Sequence, residues 1–107
     1  MKTITHNKLI RDKIPDIIKE TGKQPIIEVL SDGEYKTQLD AKLSEELKEY
    51  LADDSVEELA DIVEVVYAIL RFKGTSIEEF EEVRISKADK RGEFNKRLFL
   101  KEVREID

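Results

Sequence analysis

Three times the chain writes Ser-x-x-Glu at the head of an apolar-periodic run: Ser31 with Glu34, Ser55 with Glu58, and Ser76 with Glu79. In a capping box of this kind the Ser hydroxyl and the Glu carboxylate satisfy backbone N–H groups that lack partners in a helix's first turn. Stop signals answer the starts. Gly74 follows "RFK" and Gly92 follows "KADKR", where basic residues suit a helix C-terminus and Gly supplies a left-handed cap. The spacing predicts helices over 32–52, 56–73 and 76–91, with a shorter one over 13–21 that ends at Gly22 and takes Pro15 in its first turn. Two runs rich in branched and aromatic residues, "PIIEVL" (25–30) and "RLFLKEV" (97–103), are candidate short strands that pair with each other. The expectation is an all-α helical bundle of about four helices with a minor two-stranded β element.

At 107 residues, with no linker or low-complexity tract, the chain suits one domain with one core. It has no Cys, which excludes disulfides and thiolate chemistry. Charged residues make up 41%, with both signs interspersed and a net charge of -6, and this argues against a nucleic-acid polymer as partner because phosphate backbones demand a positive surface. The N-terminus has no apolar run flanked like a signal peptide. The longest apolar stretch, "IVEVVYAILRF", is interrupted by Glu64 and reaches about half of the ~20 residues needed to cross a bilayer. A cytoplasmic globular protein with no membrane partner is the default.

Residues 44–61, "SEELKEYLADDSVEELAD", hold eight carboxylates in eighteen positions, on helices otherwise patterned for a core. At roughly 100° per residue, Tyr35, Leu39, Leu43, Leu47 and Tyr50 form one stripe; Glu46 falls inside it and Glu49 at its edge. On the following helix apolar residues cover well over half the circumference. Glu58 falls among them and Asp61 at their margin, whereas Glu45, Glu57 and Glu64 turn to the polar side. Only "DD" lies between the helices, so in a tight antiparallel hairpin Glu49 stands level with Glu58 and Glu46 with Asp61. The two levels are about 4.5 Å apart at the ~1.5 Å rise of a helix.

Four inward carboxylates without a cation repel one another and are costly to desolvate. A divalent ion removes the conflict, and an all-oxygen ligand set suits a hard cation such as Mg²⁺, which keeps positions open for water and substrate phosphates. Facing helices of bundles do build such sites. The alternative reading makes these residues helix-surface acids, with Glu46 and Glu49 paired to Lys42 and Lys48 and Glu58 occupied in its capping box.

The pattern "EELKE" (45–49) followed by "ELAD" (58–61) resembles the Glu-Glu-x-x-Glu … Glu-x-x-Asp signature of the all-α NTP pyrophosphatase superfamily, which includes MazG, the dimeric dUTPases and phosphoribosyl-ATP pyrophosphohydrolase. "NKLIRDKIP" (7–15) and "KADKRGEF" (87–94) look like the flanking segments of a small MazG-like branch described as house-cleaning pyrophosphatases. Carried over by this resemblance, the metal ligands are Glu46, Glu49, Glu58 and Asp61, with Glu45 supporting the ligands or binding together with Glu49. The resemblance implies a homodimer that needs Mg²⁺, with Mn²⁺ as a substitute, and hydrolyses a nucleoside triphosphate between the α and β phosphates to a monophosphate and pyrophosphate. Two departures stand out: eight residues between Glu49 and Glu58 are few for the signature, and Glu93 makes "RGEF" of an expected "RGGF".

Lacking Cys, and with its lone His6 in a polar N-terminal stretch, the chain offers little for covalent catalysis, which leaves metal-activated water as nucleophile. Glu49 is the candidate base, and pure ligation is the other role open to it. Lys8, Arg11 and Lys13 in "NKLIRDK", and Lys87, Lys90 and Arg91 at the end of the last helix, are candidate partners for triphosphate charge. Tyr35, Tyr50, Tyr67 and Phe72 could stack on a base but sit at core spacing. Helix 56–73 is apolar around so much of its surface that either a symmetric dimer buries the excess or, in a monomer, the N-terminal helix and the strands cover it. Two rival readings are a non-catalytic helical interaction protein and a hydrolase of a phosphoribosyl-nucleotide or other pyrophosphate.

Overall fold

A computed structural model describes residues 2–106. Among them are four helices and no strand: α1 (Ile14–Glu20), α2 (Asp32–Asp53), α3 (Val56–Lys73) and α4 (Ile77–Arg91). The chain divides into two compact units, one ending at Gly74 and the other starting at Thr75.

Helix starts follow the sequence signals, with one informative difference. The hydroxyls of Ser31, Ser55 and Ser76 accept from the backbone N–H of Glu34 at 3.4 Å, Glu58 at 3.4 Å and Glu79 at 3.1 Å. Only at Ser76 does the reciprocal bond close the box, where the Ser76 backbone N–H donates to Glu79 Oε1 at 3.4 Å. At Ser31 the hydroxyl donates to Glu34 Oε1 at 2.7 Å instead, and at Ser55 the Glu58 side chain makes no bond to the cap. Glu58 is thus released from the capping duty that its spacing suggested. The stops also split. Gly74 takes the left-handed cap with φ 77 and ψ 21, whereas Gly92 combines φ 84 with ψ 177, an extended positive-φ conformation that is nearly Gly-only.

The hairpin of α2 and α3 holds the core of the first unit. Asp54 ends α2 in the left-handed conformation, φ 50 and ψ 47, with its N–H donating to the Tyr50 carbonyl at 2.7 Å. Ser55 then returns to extended backbone and caps α3 at once, so two residues reverse the chain and the helices pack along each other. Leu39, Val65 and Leu70 are buried, Leu39 to 1% exposure. Tyr35 and Phe72 meet edge to face with ring centroids 5.8 Å apart. Leu47, placed in the core stripe by the helical wheel, is instead 48% exposed, and Leu51, Val56, Leu59 and Val63 are exposed near it in sequence. One partner helix cannot surround an α3 that is apolar on most sides.

The expected β pairing is corrected. Residues 25–30 and 97–103 are irregular, and Ile26, Val29, Leu98 and Phe99 are each largely exposed. A two-stranded ribbon is marginal unless an apolar face packs on something, and Pro25 removes a ladder donor at the head of the first run. In the second unit α4 contributes no buried residue. No helix among the described residues is long and apolar enough to cross a membrane.

Candidate metal centre

Glu46 is where the hairpin concentrates its electrostatic conflict. It sits about two turns from the C-terminal end of α2, on the face that packs against α3, and is only 6% exposed. Its Oε1 lies 3.3 Å from Lys42 Nζ, one turn back on the same helix, while Oε2 is buried with no hydrogen-bond partner. From α3 comes Glu58, which the open capping box at Ser55 leaves free to turn inward, and its Oε2 is also buried and unpartnered. Asp61, one turn further along α3, is half-buried. One carboxylate oxygen of each of Glu46, Glu58 and Asp61 lies within 4.8 Å of the others.

Glu49 stands outside this trio. The wheel placed it at the edge of the stripe, and it is exposed. It nevertheless feels the cluster: its carboxyl is raised above the ordinary carboxylate range, first by the charge of Glu46, then by the hydrogen bond a proton shared with Glu46 makes, with burial and Glu45 adding to the effect. Glu58 is raised as well, first by burial, then by a hydrogen bond with Asp53 and by the charges of Glu49, Asp53 and Asp61. With every carboxylate ionised, the buried oxygens of Glu46 and Glu58 lack any partner within the protein. A shared proton or an added cation relieves them.

Three basic side chains surround the cluster. Lys42, only 17% exposed, lies 3.5 Å from Glu45 and 3.3 Å from Glu46. Lys8 reaches Glu45 at 3.8 Å, and Arg11 Nη2 donates to Asp61 Oδ1 at 2.6 Å. Together with Ile10 and Ile14 these cations line a cleft of about 250 Å³ that opens onto Glu46 and Asp61. A slightly larger cleft, about 290 Å³, lies at the head of α2 between Leu30 and Gln38, but it gathers no cluster of ligand groups. The centre therefore belongs to the smaller one.

Among the candidate substrate groups, Lys8 and Arg11 are at this cleft, whereas Lys13 is exposed at the start of α1 and forms no ion pair among the described residues. Lys87, Lys90 and Arg91 are exposed on α4, in the second unit. Glu45 contacts Lys8 and Lys42 and stays half-buried. His6 is exposed. Lys42, which the alternative reading of the sequence paired with Glu46, does pair with it, and it reaches Glu45 as well. The residues fit a hard divalent cation: an all-oxygen trio, two of its carboxylates carrying a buried oxygen with nothing to bind.

No family model matches the chain, and no solved structure matches it significantly. An uncharacterized protein of Mycolicibacterium smegmatis is 50% identical to it over 48 residues, a stretch that covers 45% of this chain and 49% of that protein. The chain thus matches about half the length of this relative.

Proposed function

We propose that the chain is a Mg²⁺-dependent nucleotide pyrophosphohydrolase that cleaves nucleoside triphosphates between the α and β phosphates, acting as a homodimer in a house-cleaning role on noncanonical nucleotides. The observation that carries this reading is the pair of buried, unpartnered oxygens of Glu46 and Glu58 beside Asp61. The resemblance of "EELKE" and "ELAD" to the NTP pyrophosphatase signature supplies the reaction.

Glu46, Glu58 and Asp61 would hold the ion, with Glu49 joining from the exposed edge. Mg²⁺ bound there supplies Lewis-acid charge to phosphoryl oxygens and favours ionisation of water. The remaining work falls to the chain. Water adds across the α–β bridging P–O bond; its oxygen stays on one phosphorus, the bridging oxygen leaves with the other product, and Glu49 takes the released proton on a carboxylate oxygen. Lys8 and Arg11 at the cleft rim offer ammonium and guanidinium donors to the pyrophosphate oxygens. Ile10 and Ile14 give that rim an apolar wall that limits water. Exposed Leu47, Leu51, Val56, Leu59 and Val63 support the dimer, since a second hairpin would bury them.

The test is a panel of standard and damaged NTPs with Mg²⁺, scored for pyrophosphate against orthophosphate. Pyrophosphate release that disappears in the Glu46→Ala, Glu58→Ala double variant supports the reading. Orthophosphate release overturns the α–β assignment, and the absence of both hydrolysis and Mg²⁺-dependent thermal stabilisation favours a non-catalytic helical module.

A further inference from the structure

Arg11 and Asp61 are 50 positions apart, and their bond at 2.6 Å is the shortest tie between the N-terminal arm and the carboxylate cluster. The arm itself is irregular up to α1, and the Arg11 side chain is 57% exposed. Lys42 differs in every respect. It rises from the same helix as Glu45 and Glu46, contacts both and is 17% exposed, so it is held more closely than Arg11.

A divalent ion held by Glu46, Glu58 and Asp61 would share the Asp61 carboxylate with a guanidinium. Two cations on one carboxylate repel at short range, an effect that the exposure of this pair moderates without removing. The group that yields is the one on an irregular segment with solvent beside it. We infer that Arg11 is an exchangeable counter-ion of Asp61: it neutralises that carboxylate in the cation-free protein and is displaced when a divalent ion enters, which frees the arm around residues 8–11. This rests on the metal-centre reading above and adds a competition that the reading does not require.

Mn²⁺ titrations of the wild-type chain, Arg11→Ala and Lys13→Ala test it by calorimetry. An exposed ion pair limits the effect, so Arg11→Ala should bind Mn²⁺ about two- to fivefold more tightly than wild type. Lys13→Ala removes the same charge nearby without breaking a contact to the cluster and should shift affinity less. Because the chain has no Cys, a single nitroxide placed through His6→Cys reports on the arm, and its spectrum should sharpen on adding diamagnetic Mg²⁺. Equal Mn²⁺ affinity in wild type and Arg11→Ala, an equal gain in Lys13→Ala, or an unchanged or broader spectrum overturns the displacement while leaving the metal centre standing. Failure of all three proteins to bind Mn²⁺ overturns both.

Discussion

Tyr35 on α2 meets Phe72 on α3 edge to face, with ring centroids 5.8 Å apart, at the end of the hairpin remote from the Asp54 turn. Counting outward from the Asp53–Asp54 junction puts these two residues level, as it does Glu46 with Asp61. The same register therefore holds at both places along the hairpin, and it brings Glu46 and Asp61 together. An edge-to-face pair contributes about 0.5–1.5 kcal/mol beyond area burial, and Phe72 is 38% exposed, so the low end applies here. A double-mutant cycle of Tyr35→Ala and Phe72→Ala, read from urea midpoints, should return a favourable coupling of about 0.5 kcal/mol. Additive single effects would show that the rings are neighbours without being a clamp.

Much of this architecture was legible because local chemistry decides it. Ser hydroxyls at 31, 55 and 76 cap their helices whatever the rest of the chain does, and the wheel found the burial of Glu46 from its neighbours Leu39 and Leu43 alone. What escaped depends on partners distant in sequence. The bond from Arg11 to Asp61 has no periodicity to reveal it. The inward turn of Glu58 follows from a capping box that stays open at Ser55, and the motif reads the same whether open or closed. The strand expectation rested on composition, which cannot supply a partner; Ile26 and Phe99 stay exposed. Glu49 lies on the boundary of the stripe, where a few degrees of rotation separate a buried ligand from an exposed acid.

Leu39 is the most buried side chain of the described residues, at 1% exposure, and it sits one turn along α2 from Tyr35. Truncation leaves a cavity that a two-helix core can only partly close. Leu39→Ala should destabilise the fold by about 2–5 kcal/mol. Because so few residues are buried, a loss of that size should also abolish cooperative thermal unfolding, which circular dichroism would record as a broad, shallow melt. A sharp transition with a small shift would place the main core elsewhere.

Asp54 carries the reversal between α2 and α3 in the left-handed conformation. For a side chain without a local hydrogen-bonding group that conformation costs about 1–2 kcal/mol, whereas Asn and Gly accept it. Asp54→Val should therefore lower stability by about that amount, while Asp54→Asn and Asp54→Gly stay near wild type. Chemical denaturation of the three variants separates the backbone effect from the loss of charge, since all three remove the carboxylate.

Acidification should strengthen the cation-free protein before it weakens it. Glu58 and Glu49 have folded-state pKa values raised above their unfolded ones, so between those limits the folded state binds more protons and stability rises as pH falls. Glu81 acts in the opposite sense: the hydrogen bond and charge of Arg84 lower its pKa, and the stability it contributes at neutral pH is lost as pH drops through that lowered value. Thermal midpoints in EDTA should thus climb from neutrality toward the raised carboxyl range and fall below it. Glu58→Gln should flatten the climb. Saturating Mg²⁺ should reverse the slope, because a bound cation favours the ionised carboxylates. A midpoint that only declines from neutrality downward would falsify the crowding of carboxylates in the hairpin.

Glu46→Gln separates a metal ligand from a helix-surface acid by reversing its effect between two buffers. In EDTA the variant keeps the shape of the side chain, removes a buried negative charge and gains N–H donors that can meet the unpartnered Oε2 of Glu58. A buried polar atom without a partner costs about 1–3 kcal/mol, so the variant should be more stable than wild type by about 1 kcal/mol after it gives up the Lys42 contact. In Mg²⁺ at a hundredfold excess over Kd the wild-type chain gains about 2.7 kcal/mol by linkage, and the variant, short of one ligand, gains far less. The order of the two proteins should therefore invert between EDTA and Mg²⁺, as read from urea midpoints in the two buffers. Were Glu46 only a surface partner for Lys42, the amide would weaken the pair equally in both, and the two curves would keep the same order throughout.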